Sequence, residues 1–159
     1  MPTHAKVAKP KATTKNKPKG CPKLNDVHPG CPGRDKLHLK RTPELNGVTV
    51  VLQCEAHDHL ARAFAEIKQR FGLHPKVISS YRTCAEQKKL YDACRDGTGS
   101  CPAAKPGESY HNQARAVDIG GASVPPRFKT KVDRVMKEHG FFDGTAFADP
   151  YHYQYKAPT

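Results

Sequence analysis

The chain has 159 residues, with 27 Lys and Arg against 15 Asp and Glu and a formal net charge of +12 at pH 7. This length suits one domain with a core of its own. No run of about 18 apolar residues occurs, which excludes a membrane-spanning helix, and no apolar centre of roughly 7 to 15 residues marks a secretory signal, so we expect no standard export route.

Residues 1–40 form a basic segment rich in Pro and Lys. They contain ten Lys and Arg and two acidic residues, and therefore carry +8 of the total charge of +12. Such a segment cannot bury enough surface to offset its ordering entropy, so we expect a flexible arm. Its charge attracts polyanions such as nucleic acid, teichoic acid or anionic lipid. A solubilising tail without a specific partner is the alternative, and residues 41–159 are predicted to be the folded domain.

The globular pattern begins near residue 45. The β-branched run "VTVVL" (48–52) predicts a strand. An amphipathic helix follows, and Gly72 ends it. The apolar face of this helix consists of Leu60, Ala63, Phe64, Ile67 and Phe71.

The next segment predicts a strand followed directly by a helix. Residues 76–80, "KVISS", read as a short buried strand, and Thr83 and Glu86 have the spacing of a capping box. A helix over about 84–95 therefore starts immediately after Arg82. This junction is rigid and exposed, which suits a side chain that must point into a site.

The second half predicts a loop, a strand, a helix and a final strand. Residues 96–108 contain three Gly and two Pro and predict the loop, and "ARAVDI" (114–119) predicts the strand. Gly140 ends the helix, and "ADPYHYQY" (148–155) forms the last strand. The helix is marked by Phe128, Val132, Val135, Met136 and His139. The element order predicts an α+β domain with a small sheet covered by helices.

Six cysteines occur without any CxxC pair, which argues against zinc-ribbon and thioredoxin-type sites. An even number fits disulfides, with fifteen possible pairings. The predicted helix separates Cys84 from Cys94 by about 15 Å, too far for a bridge. Cys94 with Cys101, and Cys21 with Cys31, are easier pairs, and reduced, buried cysteines are the alternative.

His111, Asp118 and His152 offer two nitrogen ligands and one oxygen ligand for a metal. This set leaves a position for water, as in catalytic zinc sites, whereas structural sites are closed and rich in sulfur. Bound zinc lowers the pKa of its water to about 7 and suits amide hydrolysis. A carboxylate that is not a ligand must move the proton, and Asp149 is the first candidate. Spacing alone leaves open that His111 is a solvated loop residue and Asp118 a strand-end cap.

Two other groups of possible ligands are less persuasive. His57 and His59 stand two positions apart on a predicted helix and point in different directions. In the second group, the two cysteines are 10 residues apart and so are the two histidines, which does not resemble zinc-finger spacing. That group contains Cys21, His28, Cys31 and His38. We favour ordinary structural roles for both.

Three segments occur in order: "SSYRTCAEQKKLY" (79–91), "SYHNQARAVDI" (109–119) and "DPYHYQY" (149–155). They resemble the Ser-x-Tyr-Arg-Ser-x-x-x-Gln, Ser-x-His-x-x-Gly-x-Ala-x-Asp and acid-x-x-His motifs of the zinc D-Ala-D-Ala carboxypeptidase and peptidoglycan endopeptidase family. This family includes VanX/VanY-type dipeptidases and several phage endolysins. The matching residues of the first two segments are Ser79, Tyr81, Arg82, Gln87, Ser109, His111, Ala116 and Asp118.

The resemblance implies a Hedgehog/DD-peptidase-like fold with a small, mostly antiparallel sheet. It implies Zn²⁺ held by His111, Asp118 and His152, with Asp149 as general base. Arg82 would stabilise the oxyanion. The remaining substrate-binding candidates are Ser109, which could instead orient the ligand loop, Gln87 and Tyr151.

Three positions depart from the usual family pattern. Ala114 replaces a glycine, which a tight turn of α or β conformation could absorb. Tyr151 replaces the common Trp, which changes the expected wall of the substrate pocket. Asp149 in place of Glu favours a phage endolysin-type enzyme over a dipeptidase.

The predicted function is zinc-dependent hydrolysis of peptidoglycan peptides at the bacterial cell wall, by an enzyme made in the host cytoplasm and released by phage lysis. The arm would bind anionic cell-wall polymers. A non-catalytic zinc-containing binding module of the same fold, as in Hedgehog signalling domains, is the alternative. A nucleic-acid-binding protein would explain the arm but would leave the three motifs unexplained, so no specific nucleic acid is expected.

Overall fold

The structure is a computed structural model that describes residues 39–144 and 149–156. The expectations for the arm and for the ligand group with Cys21, His28, Cys31 and His38 lie outside the described residues. None of the helices described is long and apolar enough to cross a membrane.

The described residues form strands and helices in the order that the sequence predicts, with two additional strands. The elements are β1 (Leu39–Leu45), β2 (Val48–Gln53), α1 (Cys54–Phe71), β3 (Val77–Ser79), α2 (Cys84–Asp96), β4 (Ala116–Ile119), α3 (Lys129–Glu138), β5 (Phe141–Gly144) and β6 (Asp149–Tyr155).

One four-stranded antiparallel sheet organises the domain. Its strand order is β3-β4-β6-β5, and β1 and β2 form a separate antiparallel hairpin. The predicted α+β class with a small antiparallel sheet is confirmed.

The additional strands are β1 and β5. Strand β1 has the sequence "LKRTPEL", whose charges and Pro43 do not give a strand pattern. It forms because Asn46 and Gly47 both have positive φ, 59° and 79°. That turn geometry matches the twist of paired strands, so it returns the chain onto the apolar β2.

Local residues explain the end of α1, the start of α2 and the buried side of α3. Gly72 ends α1 in the left-handed conformation with φ 69°. Thr83 and Glu86 form the predicted capping box at the start of α2. Helix α3 buries Val132, Val135 and Met136.

The core lies on one face of the sheet, and the other face is left for a site. Val117 and Ile119 of β4 and Tyr153 of β6 are at most 1% exposed and pack with the apolar sides of α1 and α3. Because successive strand residues point to opposite faces, Asp118 and His152 project from the side away from this core.

One predicted cysteine pair is present. Cys94 and Cys101 form a disulfide with a Cα–Cα distance of 5.1 Å. Cys54 and Cys84 are disulfide-bonded as well, so no cysteine among the described residues is free. The bridge at Cys94 closes the start of the loop that follows α2.

The buried Tyr155 should make the protein less stable at alkaline pH. Burial and the hydrogen bond that its hydroxyl donates to Glu55 (2.6 Å) raise the pKa of Tyr155. The unfolded chain therefore loses this proton first, and Tyr155 alone should lower the free energy of unfolding by about 1.4 kcal/mol per pH unit above about pH 10. Urea unfolding between pH 8 and pH 11 measures this slope. Tyr155→Phe should have a shallower slope, and an unchanged slope would contradict the assignment.

Candidate active site

Three side chains with metal-binding atoms meet on the face of the sheet away from the core. The ligand atoms of His111, Asp118 and His152 all lie within 4.8 Å of one another. Asp118 of β4 stands directly opposite His152 of β6. His111 comes from the 3-10 turn Tyr110–Gln113 that precedes β4. The structure brings together the three predicted ligands, and zinc binding by them stays a prediction.

His111 is oriented by backbone groups. Its Nδ1 lies 2.7 Å from the Ser80 carbonyl oxygen, and its Nε2 lies 3.3 Å from Asp118 Oδ1. Because a carbonyl can only accept, Nδ1 carries the proton and Nε2 faces the centre of the group. The buried Ser109 accepts the His111 backbone N–H through Oγ at 3.1 Å. Ser109 therefore caps the turn that carries His111, and its two predicted roles stay predictions.

His152 is oriented by a residue that the sequence reasoning did not single out. Its Nδ1 lies 3.1 Å from Asp118 Oδ1, and its Nε2 lies 3.0 Å from the amide oxygen of Gln154. Gln154 fixes the ring so that Nδ1 faces the centre. Its position two residues after His152 on the same face of a strand is the signal that could have identified it.

The charges at this group favour a bound cation. Burial opposes ionisation of Asp118, but the polar contacts of its carboxylate with the His111 and His152 rings outweigh it and hold the pKa of Asp118 well below its usual range. Burial also lowers the pKa of His152, but its bonds to Asp118 and Gln154 outweigh this and raise it. A metal ion would replace the proton that this arrangement attracts. The two nitrogens and one carboxylate fit catalytic zinc with an open position.

Arg82 points into the same group. It lies between β3 and the Thr83 cap of α2, as predicted. Its Nη2 donates to Ser79 Oγ at 2.8 Å and to Asp118 Oδ2 at 3.4 Å. A fixed positive charge therefore lies beside the Asp118 carboxylate.

Two buried amides connect the Arg82 turn to the loop after α2. Gln87, 2% exposed, accepts from Arg82 Nη1 at 2.8 Å and donates to the Ala104 carbonyl at 2.8 Å. Asn112, fully buried, donates to the Arg82 carbonyl at 2.9 Å and accepts the Gly107 N–H at 3.0 Å. Gln87 was predicted to bind substrate, but its amide is occupied inside the protein. Asn112 was not predicted from the sequence, although it directly follows His111.

Replacing Gln87 should therefore affect the placement of Arg82 rather than metal binding. Gln87→Leu removes the acceptor for Nη1 and should lower kcat by roughly 10- to 100-fold, the range associated with small misplacements of catalytic groups. Gln87→Glu keeps that acceptor and should retain more of kcat. Steady-state kinetics with zinc content measured in parallel tests this, and loss of zinc from Gln87→Leu would contradict it.

Ala114 occupies the turn in which the related motif has glycine. It has φ 56° and ψ 41° and is fully buried. The expectation of an α- or β-compatible turn was wrong, because this is the left-handed region in which an alanine costs about 1–2 kcal/mol. The turn is held because the Ala114 carbonyl accepts the Gln53 N–H at 2.9 Å. The ligand turn thus keeps the conformation that glycine favours.

Asp149 lies exposed at the first position of β6. Its charge is close enough to contribute to the raised pKa of His152. Gly144 pairs with it across an irregularity in the β5–β6 register. A Cβ at Gly144 would lie 2.5 Å from the Asp149 carbonyl oxygen and 3.3 Å from His152 Cβ. Any side chain at position 144 would clash, so only glycine permits β5 to approach Asp149 at the start of β6 this closely.

Tyr151 does not join the group. Its ring packs against the core, and Lys129 Nζ lies 5.2 Å from its centre. Tyr151 and Tyr153 share this lysine, so Tyr151 faces away from His152. Lining of the substrate pocket by Tyr151 stays a prediction, which this orientation does not favour. His57 is buried in α1, and the His59 ring lies 5.2 Å from Tyr155, so neither belongs to the site.

The fold resembles solved peptidases. A zinc-bound variant of the vancomycin-resistance D,D-pentapeptidase VanY has a TM-score of 0.60 at 22% identity, covering 87% of this chain and 86% of that one. VanYB in complex with D-alanine-D-alanine has a TM-score of 0.56 at 25% identity, covering 79% and 81%. The LdcB LD-carboxypeptidase, solved to explain peptidoglycan recognition, has a TM-score of 0.55 at 23% identity, covering 67% of this chain. This chain spans 60% of the LdcB chain.

No curated protein sequence matches the chain. The model of the VanY family, described as D-alanyl-D-alanine carboxypeptidase, matches residues 50–157. This range includes all three motifs and every candidate side chain of the site. The chain therefore belongs to the VanY D-alanyl-D-alanine carboxypeptidase family.

Proposed function

We propose that this protein is a zinc-dependent peptidase that hydrolyses amide bonds in peptidoglycan peptides, as an endopeptidase or a D,D-carboxypeptidase. The observation that supports it most is the convergence of His111, Asp118 and His152 within 4.8 Å. In a chain of this family, that set with Arg82 beside it fits amide hydrolysis better than a purely structural site.

The zinc ion, when bound, supplies a water of lowered pKa and polarises the scissile carbonyl. Asp149 takes a proton from the nucleophile and delivers it to the leaving amine. Its position on the exposed start of β6 leaves it accessible to substrate. Arg82 places a positive charge where the carbonyl oxygen becomes negative.

The surrounding polar residues act through these groups. Ser109 and the Ser80 carbonyl orient His111, and Gln154 orients His152. Gln87 positions Arg82, which revises its predicted contact with the substrate. Because these residues orient His111, His152 and Arg82 and do not contact the substrate, several motif residues are buried although the substrate must approach from solvent.

Peptidoglycan is the proposed substrate because of the related proteins. VanYB binds D-alanine-D-alanine, and the LdcB structure concerns peptidoglycan recognition. The finer proposal is a phage endolysin-type lytic enzyme, supported by Asp149 in place of the more usual Glu. Attraction of the +8 charge of residues 1–40 to anionic wall polymers would concentrate the enzyme at its substrate.

Incubation with purified peptidoglycan tests the proposal. Samples of several wall chemistries are treated with zinc-loaded protein, with protein and chelator, and with chelated protein after zinc is restored. We expect new amino and carboxyl groups in the first and third samples only. No release from zinc-loaded protein on any wall would refute the proposed activity, and equal release with chelator would refute zinc dependence.

A further inference from the structure

A groove of about 490 Å³ lies beside the site, between the start of β2, strand β3 and helix α2. We call it the β3–α2 groove. Its volume falls within the range of about 300–1,000 Å³ that is typical of ligand pockets. Its lining includes Ile78, Ser79, Tyr81, Arg82, Lys89 and Leu90.

The groove carries exposed apolar side chains. Ile78 is 68% exposed and Leu90 is 44% exposed, and they are the large apolar side chains that stand out as exposed in the part of the chain described. Both line this one groove. Exposed apolar residues that lie together in one concave region indicate a binding surface, whereas single exposed apolar residues are common on any protein.

The groove adjoins the candidate active site. Arg82 lines it and also donates to Asp118 at 3.4 Å. Ser79 lines it too, and in the sheet register Ser79 stands opposite Asp118. The end of the groove at Arg82 and Ser79 is therefore the end that lies next to Asp118.

The chemistry of the groove favours an acidic ligand. Arg82 and Lys89 are its cations. The carboxylate of Glu86 also lines it but accepts the Thr83 N–H at 2.8 Å as part of the helix cap. Tyr81 also lines it, and its phenol can donate a hydrogen bond. Strand β3 is an edge of the sheet, and edge strands offer backbone groups to an extended peptide.

We propose that the β3–α2 groove binds the part of the peptidoglycan stem peptide that extends away from the scissile amide. The stem peptide is extended and carries small aliphatic side chains and free carboxylates, which match Ile78, Leu90 and Lys89. This inference rests on the proposed function. A dipeptide is only about 7 Å long, so a dipeptide held at the metal group leaves most of the groove empty.

Isoleucine methyl NMR tests binding without any need for catalysis. The chain has three isoleucines, Ile67, Ile78 and Ile119. Ile67 and Ile119 are in the core and serve as internal controls. Titration of the metal-free protein with a stem pentapeptide ending in D-Ala-D-Ala should shift the Ile78 signal alone. The dipeptide D-Ala-D-Ala should not shift it. An Ile78 signal that the pentapeptide leaves unchanged overturns the proposal.

Kinetics separates failure of this inference from failure of the proposed function. In the Lys89→Glu and Leu90→Ser variants, the ratio of kcat/KM for the pentapeptide to kcat/KM for the dipeptide should fall about 10-fold. Lys68→Glu, a charge change on the exposed side of α1, is the matched control and should leave the ratio unchanged. An unchanged ratio in the groove variants, with active enzyme, overturns the groove alone. Absence of any hydrolysis of either peptide by the wild type overturns the D,D-carboxypeptidase form of the proposed function, and the NMR titration still decides on the groove.

Discussion

Asp149→Ala should lower kcat on peptidoglycan peptides by about 10²- to 10⁴-fold, the usual contribution of a positioned general base. The exposed Asp149 side chain lies at the start of β6 and is not among the three converging ligands. Its removal should therefore leave zinc content and thermal stability close to those of the wild type. Stopped assays of amine release, with metal analysis and a thermal melt on the same preparation, measure all three.

Asp96→Ala is the matched control for Asp149→Ala. Asp96 is an exposed acid at the end of α2 and should be replaceable without effect on kcat. A non-catalytic binding module would be indifferent to both changes. Full turnover by Asp149→Ala would remove Asp149 from the mechanism, and loss of zinc from this variant would make it a ligand instead.

Asp118→Asn should abolish both zinc binding and activity. Asp118 lies between the two imidazoles and supplies the one negative charge of the ligand set. Asparagine keeps its shape but loses this charge, so we expect zinc affinity to fall more than about 100-fold, beyond the loss usual for residues that only support ligands. Competition with a chromophoric chelator measures the affinity.

Asp92→Asn is the matched control for Asp118→Asn. Asp92 is an acid on the exposed side of α2, paired with Lys88 at 2.7 Å, and its neutralisation should leave zinc affinity unaltered. Tight zinc binding by Asp118→Asn would show that the metal is held elsewhere.

The sequence predicted those parts of the site that depend on local pattern and motif. The strand-to-helix junction at Arg82 followed from the Thr83 and Glu86 cap, and the alternation of β4 and β6 places Asp118 and His152 on one face. Strand β1 could not be predicted from its own composition, because it forms through the Asn46–Gly47 turn and its pairing with β2.

The roles of single polar residues were harder to predict, because they depend on contacts between distant segments. Gln87 reads as a motif residue available to substrate, yet the loop carbonyl of Ala104 and the guanidinium of Arg82 occupy its amide. The left-handed conformation of Ala114 likewise depends on the turn around it, since alanine itself disfavours that region. Neighbouring residues of a strand point to opposite faces, so the Tyr151 side chain points away from that of His152 and faces Lys129.

Mass spectrometry of the muropeptides released from peptidoglycan tests the central claim most directly. The zinc-loaded wild type should release fragments whose masses and new termini correspond to cleavage of one type of amide bond. The Asp149→Ala and chelated samples should match the untreated wall. Identical fragment patterns in all samples would contradict the assignment of His111, Asp118, His152 and Asp149 to a peptidase site.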